Sequence, residues 1–159
     1  MIAVEPQDRL IPVIRENIQL NGINNVSIVQ VAIAEKRGKA SLYLAPDTNS
    51  GATGFYRATK YVLPKQEIET IPLTDLLARE GIGRVDLMKI DIEGAEYEAI
   101  LASPSLFETH RIKALALELH PTVLAKHGKS AADIEEFLSR VGYKKTIKHG
   151  NSVWLAPGT

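Results

Sequence analysis

The sequence has 159 residues, of which 45% are hydrophobic and 24% charged, with a formal net charge of zero and no cysteine. That length and composition fit one soluble domain with one core. The neutral balance leaves no electrostatic footprint for nucleic acid or an anionic membrane, and the missing thiols exclude a disulfide framework, a thiolate metal site and a cysteine nucleophile.

No apolar run reaches the roughly 18 residues that a membrane span needs. No signal peptide opens the chain, and a cytoplasmic location is expected. Met1–Glu5 reads as a buried strand ended by an acid and Pro6. Domains seldom open inside a buried strand, so a segment is expected to be missing upstream. Asp8 is placed to cap the next helix, whose apolar stripe is Leu10, Val13, Ile14 and Ile18. Pro12 suits only its first turn, and Asn21-Gly22 ends it. Val26–Ile33 reads as the second strand, Lys36–Lys39 as a charged turn and Ala40–Leu44 as a third strand. Pro46–Gly54 reads as a loop, either a binding segment or plain disorder. Glu67–Ile71 is the next strand; Thr74 is placed to cap a short helix, Asp75–Arg79, closed by Gly81.

Val85–Leu101, VDLMKIDIEGAEYEAIL, changes period halfway. Val85–Ile92 repeats apolar residues as a strand buried on both faces does. After Gly94, Ala95–Leu101 reads as a helix with Tyr97, Ile100 and Leu101 on one face. Asp91 and Glu93 lie at the carboxyl end of the strand, where open α/β sheets bind ligands. They either act at a site or cap the helix. Lys89 in an apolar strand calls for a carboxylate partner or a strand edge. Ser103-Pro104 breaks the chain. Ile112–Leu119 is a continuous apolar strand that leads into His120 and Pro121. Ser130 with Asp133 resembles a capping box for a helix that buries Ile134, Phe137, Leu138 and Val141 and stops at Gly142. Tyr143–Lys148 and Ser152–Ala156 flank a hairpin turn at His149-Gly150-Asn151.

Alternating strands and helices imply an α/β fold with a mainly parallel sheet covered on both faces, plus a closing antiparallel hairpin. Asp91, Glu93, Glu118 and His120 all come from strand ends expected to be adjacent. Converging titratable groups there mark a candidate site. The bland alternative for His120 is a strand-end histidine bonded to backbone. Carboxylates and histidine can make an oxygen–nitrogen metal site, but nothing in the spacing demands a metal, and none is expected. His110, His127 and His149 read as surface residues, and Trp154 as core or edge packing.

These residues resemble a family. VDLMKIDIEGAEYEAIL is similar to the signature of the FkbM-type methyltransferases, with AVEP (3–6), VAIAEKRGKASLYL (31–44), IPLTDLL (71–77) and LELH (117–120) as further matches. The resemblance implies a class I, Rossmann-like three-layer sandwich across residues 1–159. It also implies transfer of a methyl group from S-adenosylmethionine to a hydroxyl of a small molecule or sugar. Glu5 then corresponds to the acid that holds the cofactor ribose. Val31 and Ala32 face the adenine or simply pack in the core. Asp91 and Glu118 are then placed to attract the cofactor's sulfonium charge, and His120 or a carboxylate is placed to act as the base. The family's glycine-rich D-x-G-A-N-x-G loop has no match in this sequence, so its first βα unit is expected to be missing. In the family that strand lies between those matching Met1–Glu5 and Val85–Ile92. Weak or absent cofactor binding is expected, with either direct pairing of those two strands or self-association as a homodimer. The alternative is a non-catalytic, truncated module acting in dimerisation or partner binding.

Overall fold

The computed structural model describes residues 1–45, 53–55, 65–148 and 151–159. Most of the Pro46–Gly54 loop, and His149 and Gly150 of the hairpin turn, lie outside the described residues.

Strands β1 (Ile2–Val4) and β2 (Ser27–Val29) pair in parallel, with Val4 opposite Val29. Helix α1 (Leu10–Leu20) makes the crossover such a pair requires. Pro12 falls in its first turn, where the N–H has no partner to lose. The expected cap at Asp8 is not formed. Arg9 is the N-cap residue and its side chain makes no capping bond, while the Asp8 carboxylate accepts from Gln30.

Val26–Ile33 is not one strand. It divides at Gln30–Val31, so that β2 pairs with β1 while β3 (Ala32–Ile33) moves into a second sheet beside β5 (Lys65–Ile71). Strand β4 (Gly38–Tyr43) lies antiparallel on the other side of β5. Helix α2 (Leu73–Arg79) follows with Pro72 as its N-cap residue. Thr74 therefore sits inside the helix rather than capping it, and its N–H donates to Ser103 Oγ at 3.2 Å.

The third sheet contains β6 (Val85–Ile90), β7 (Ile112–Leu117), β8 (Lys144–Lys148) and β9 (Asn151–Leu155), in the order β6-β7-β9-β8. Its β6–β7 pair is parallel, and the closing hairpin is antiparallel as expected. Helices α3 (Glu96–Leu101), α4 (Pro104–Glu108), α5 (Pro121–Lys126) and α6 (Ala131–Arg140) lie between these strands. The two short helices α4 and α5 were not predicted. Each has a proline in its first turn, a position that starts a helix as readily as it breaks a chain. The predicted cap at Ser130 is present, its hydroxyl accepting the Ala132 N–H at 3.1 Å. No helix among the described residues is long and apolar enough to cross a membrane.

Three expectations need correction. The α/β class holds, but the described sheets are mixed, with three parallel and three antiparallel strand pairings. The antiparallel share comes from β4 as well as from the hairpin. Second, β1 does not pair with β6; it is hydrogen-bonded to β2. Ile2 packs against the main core, and the outer edge of β6 is unpaired among the described residues. Third, β6 is not buried on both faces. Ile90 is buried, but Asp86, Leu87 and Lys89 are exposed, as suits an edge strand carrying charges.

The main core joins Ile100, Leu106, Phe107, Ile112, Leu115 and Leu138, all fully buried, with Trp154 closing it from β9. Trp154 is thus core, with the Lys145 ammonium 5.6 Å from its ring centre. A smaller cluster of Ala32, Leu42 and Ile68 serves the β3-β5-β4 sheet. His127 is exposed, but His110 is not a surface residue. It is half-buried at φ 51°, with a ring nitrogen 2.8 Å from the Val141 carbonyl.

Candidate functional site

Strands β6 and β7 end side by side, with Ile90 opposite Leu117 and the Glu118 N–H donating to the Ile90 carbonyl at 3.0 Å. Parallel strands put their carboxyl ends on one rim, so Asp91 and Glu118 emerge together. The strand stops at Ile90, and the chain then turns sharply. Glu93 has φ 52°, an uncommon conformation outside glycine, and Gly94 follows at φ 100°. Residues 91 and 93 would share a face on an extended chain, and across this turn both still reach one imidazole. His120 Nε2 is 4.0 Å from Asp91 Oδ1 and 3.6 Å from Glu93 Oε2.

The four predicted residues thus stand together: atoms of Asp91, Glu118 and His120 lie within 4.8 Å of one another, and Glu93 adjoins His120. That spacing suits a small cation in principle, but a positive charge is already present. Lys89 donates to Asp91 Oδ2 at 2.9 Å, which resolves its odd place in the strand. This bond and the attraction of Asp91 raise the Lys89 pKa. Neither Asp91 nor Glu93 caps α3, whose N-cap residue is Ala95.

Glu96 was missed by sequence reading. It is fully buried, and its Oε1 accepts the Gly94 N–H at 2.9 Å and lies 2.9 Å from His120 Nδ1. A glutamate in the first turn of a helix reads as a dipole partner facing water. The signal that marks it is its spacing with Ala99 and Ile100, the i, i+3, i+4 set that forms the buried face of α3. The stripe expected from Tyr97, Ile100 and Leu101 is rotated by one residue, with Tyr97 and Leu101 only half-buried.

The electrostatics follow from this crowding. Burial pulls the His120 pKa down, but the Glu96 hydrogen bond and the charges of Glu96, Glu93 and Asp91 outweigh it, and the net shift is upward. The Glu93 pKa is raised, first by burial, then by Asp91, Glu96 and Glu118, against the opposing pull of His120.

Glu5, Val31 and Ala32 come from the strands of the other two sheets and the segments that adjoin them. The Glu5 N–H donates to the Val29 carbonyl at 3.2 Å, which places its side chain at the carboxyl ends of β1 and β2. Glu5 Oε1 accepts the Gln7 N–H at 2.8 Å. Gln7 is buried and accepts from Arg9 Nε at 3.1 Å and Thr53 Oγ1 at 3.0 Å, so the segment after β1 is anchored. Val31 packs in the main core and Ala32 in the smaller one. An open groove starts at Glu118 and is lined further by Leu119, Pro121, Ala131, Glu135 and Ser152.

Residues 1–145 match the family model described as Methyltransferase FkbM domain. A crystal structure titled as methyltransferase FkbM from Methylobacillus flagellatus KT has a similar fold, with a TM-score of 0.58 at 13% identity. The likeness covers 97% of this chain but 36% of that one, so the chain spans little more than a third of its length. No curated protein matches.

Proposed function

Because the chain belongs to the FkbM methyltransferase family, we propose that it serves methyl transfer from S-adenosylmethionine to a hydroxyl of a small molecule or sugar, within a class I, Rossmann-like site. One observation carries this reading. The rim of β6 and β7 gathers the carboxylates of Asp91, Glu93, Glu96 and Glu118 around one ammonium, that of Lys89, and one imidazole, that of His120. A surplus of negative charge suits a cationic ligand, and this cofactor supplies a methyl group on a positively charged sulfonium.

The chain's own residues divide the work. Glu5, at the end of β1, accepts from the ribose hydroxyls, since a carboxylate that holds one N–H keeps acceptor sites to spare. Backbone groups at Val31 and Ala32 border the adenine. Asp91 and Glu118 face the positive charge. His120 takes the acceptor's proton, and the groove leading from Glu118 holds the acceptor, with carboxylates and a serine hydroxyl for polar groups and Leu119 and Pro121 for an apolar face.

The second reading is a non-catalytic module that pairs with a partner or with itself. The edge of β6 that is unpaired among the described residues, where Leu87 is 66% exposed, favours it. Incubation with methyl-labelled cofactor and a panel of hydroxylated compounds separates the two. Label on an acceptor oxygen, lost in His120→Gln, supports the enzyme. No cofactor binding by calorimetry, with a dimer by light scattering, supports the module instead.

A further inference from the structure

We infer that Glu96 is the positioning residue of this site, a buried carboxylate that fixes His120 with its proton on Nδ1 and its Nε2 lone pair turned toward Asp91 and Glu93. The inference rests on the methyl-transfer reading for its chemistry, but its geometry stands apart from that reading.

Glu96 Oε1 already accepts one N–H, from Gly94, and an ionised carboxylate has no proton to give. The group 2.9 Å away, His120 Nδ1, must then be the donor. A neutral imidazole that donates through Nδ1 has its acceptor at Nε2, and Nε2 is the nitrogen that faces Asp91 and Glu93. An imidazole backed by a carboxylate is the arrangement that makes histidine a well-aimed general base.

Two costs are concentrated on the same turn. Glu96 Oε2 is buried with no hydrogen-bond partner among the described residues, which leaves the desolvation of that oxygen uncompensated. Glu93 holds a positive φ. Such costs persist only where the surroundings fix them, and they cluster at functional sites. The burial of Glu96 also matters electrically, because its charge is screened little and acts on His120 at short range.

In the reaction, His120 Nε2 takes the acceptor O–H proton while the acceptor oxygen bonds the methyl carbon. The C–S electron pair stays on sulfur, which becomes a neutral thioether. The positive charge thus passes from sulfonium to imidazolium, and Glu96 lies on the far side of that ring to stabilise it. The other charged groups at the ring are Asp91 and Glu93, with Glu118 beside them and Lys89 on Asp91.

Nitrogen-15 spectra of the His120 ring test this without cofactor or acceptor. In the intact chain, above the ring's titration, the proton is expected on Nδ1, and Glu96→Gln is expected to move the titration to lower pH. A proton on Nε2 in the unaltered protein overturns the inference, and so does an unmoved titration in a folded Glu96→Gln. The unaltered chain carries the first arm even if the variant does not fold. Where methyl transfer is measurable, Glu96→Gln should lower kcat at least tenfold, leave the KM for the cofactor unchanged and move the rising limb of the pH profile downward. An Nδ1 proton without any methyl transfer keeps the pair and removes the proposed reaction.

Discussion

The imidazole of His120 and the carboxylate of Asp91 respond differently to substitution because their burial differs. Asp91 is bridged to Lys89 at the surface, where such a pair contributes about 0–1 kcal/mol. Asp91→Asn keeps the shape and removes the charge. Methyl transfer should fall at least tenfold while the melting temperature moves by no more than a few degrees; equal losses of both would make Asp91 a structural acid. The pH dependence of stability rests on Glu93 and His120, whose folded pKa values are both raised. The folded state therefore binds protons more readily than the unfolded chain, and it loses that advantage as they dissociate. For Glu93 the contribution is complete below its ordinary value of 4.5 and is lost as pH rises through the higher folded value. For His120 it is complete below 6.5 and lost above. Thermal unfolding should thus show stability declining from about pH 4.5 to beyond pH 6.5, with a shallower decline in His120→Gln. A melting temperature that climbs across this range in the unaltered protein would refute the assignment.

The elements show what sequence patterns carry and what they leave out. Ser130 was legible as a cap because the chemistry is local: a hydroxyl accepting an N–H two residues on. Ser130→Ala should cost about 1 kcal/mol, lowering the melting temperature by roughly 2–4 °C in a chain of this size; a loss no greater than that of an exposed α6 substitution such as Glu136→Ala would show that the cap does not matter. Asp8 and Thr74 had the same residue chemistry and failed as caps: the Asp8 carboxylate accepts from Gln30 instead, and α2 starts ahead of Thr74, at Leu73. Strand β7 was read correctly because a central strand needs apolar residues on both faces. Strand β6 looked similar, yet its outer edge is unpaired among the described residues, and no local pattern reports which neighbour a strand has. The site was half legible for the same reason. Asp91, Glu93, Glu118 and His120 follow from strand ends, whereas the positive φ of Glu93 is written in no strand pattern, and the burial of Glu96 depends on which side of α3 faces inward.

Across the whole molecule, the two apolar clusters are unequal, and stability should follow that inequality. The main core draws on α2, α3, α4, α5 and α6, on strands of the third sheet with β7 at its centre, and on Val29 of β2 and Ile71 of β5, while Ala32, Leu42 and Ile68 of the β3-β5-β4 sheet form the small cluster. Leu115 on β7 is fully buried, flanked by β6 and β9. Leu42 on β4 is nearly as buried, at 3%, but among the described residues β4 has one strand neighbour, β5, and on its other side only the bridge from Tyr43 to Gly54. Burial alone would rank the two leucines as equals. The energy of a cavity depends on how far its walls can collapse, and a strand held on both sides relaxes less than one held on one side. Leu115→Ala should therefore fall near the upper end of the roughly 2–5 kcal/mol range and Leu42→Ala near the lower end. Urea unfolding of both variants measures the difference. The same argument makes the β7 amides the slowest to exchange with solvent and those of β4 faster. Equal destabilisation by the two substitutions, with equal protection of the two strands, would mean that the small cluster is continuous with the main core and that the rim bearing His120 shares its rigidity with the whole chain rather than drawing it from β7 and its neighbours.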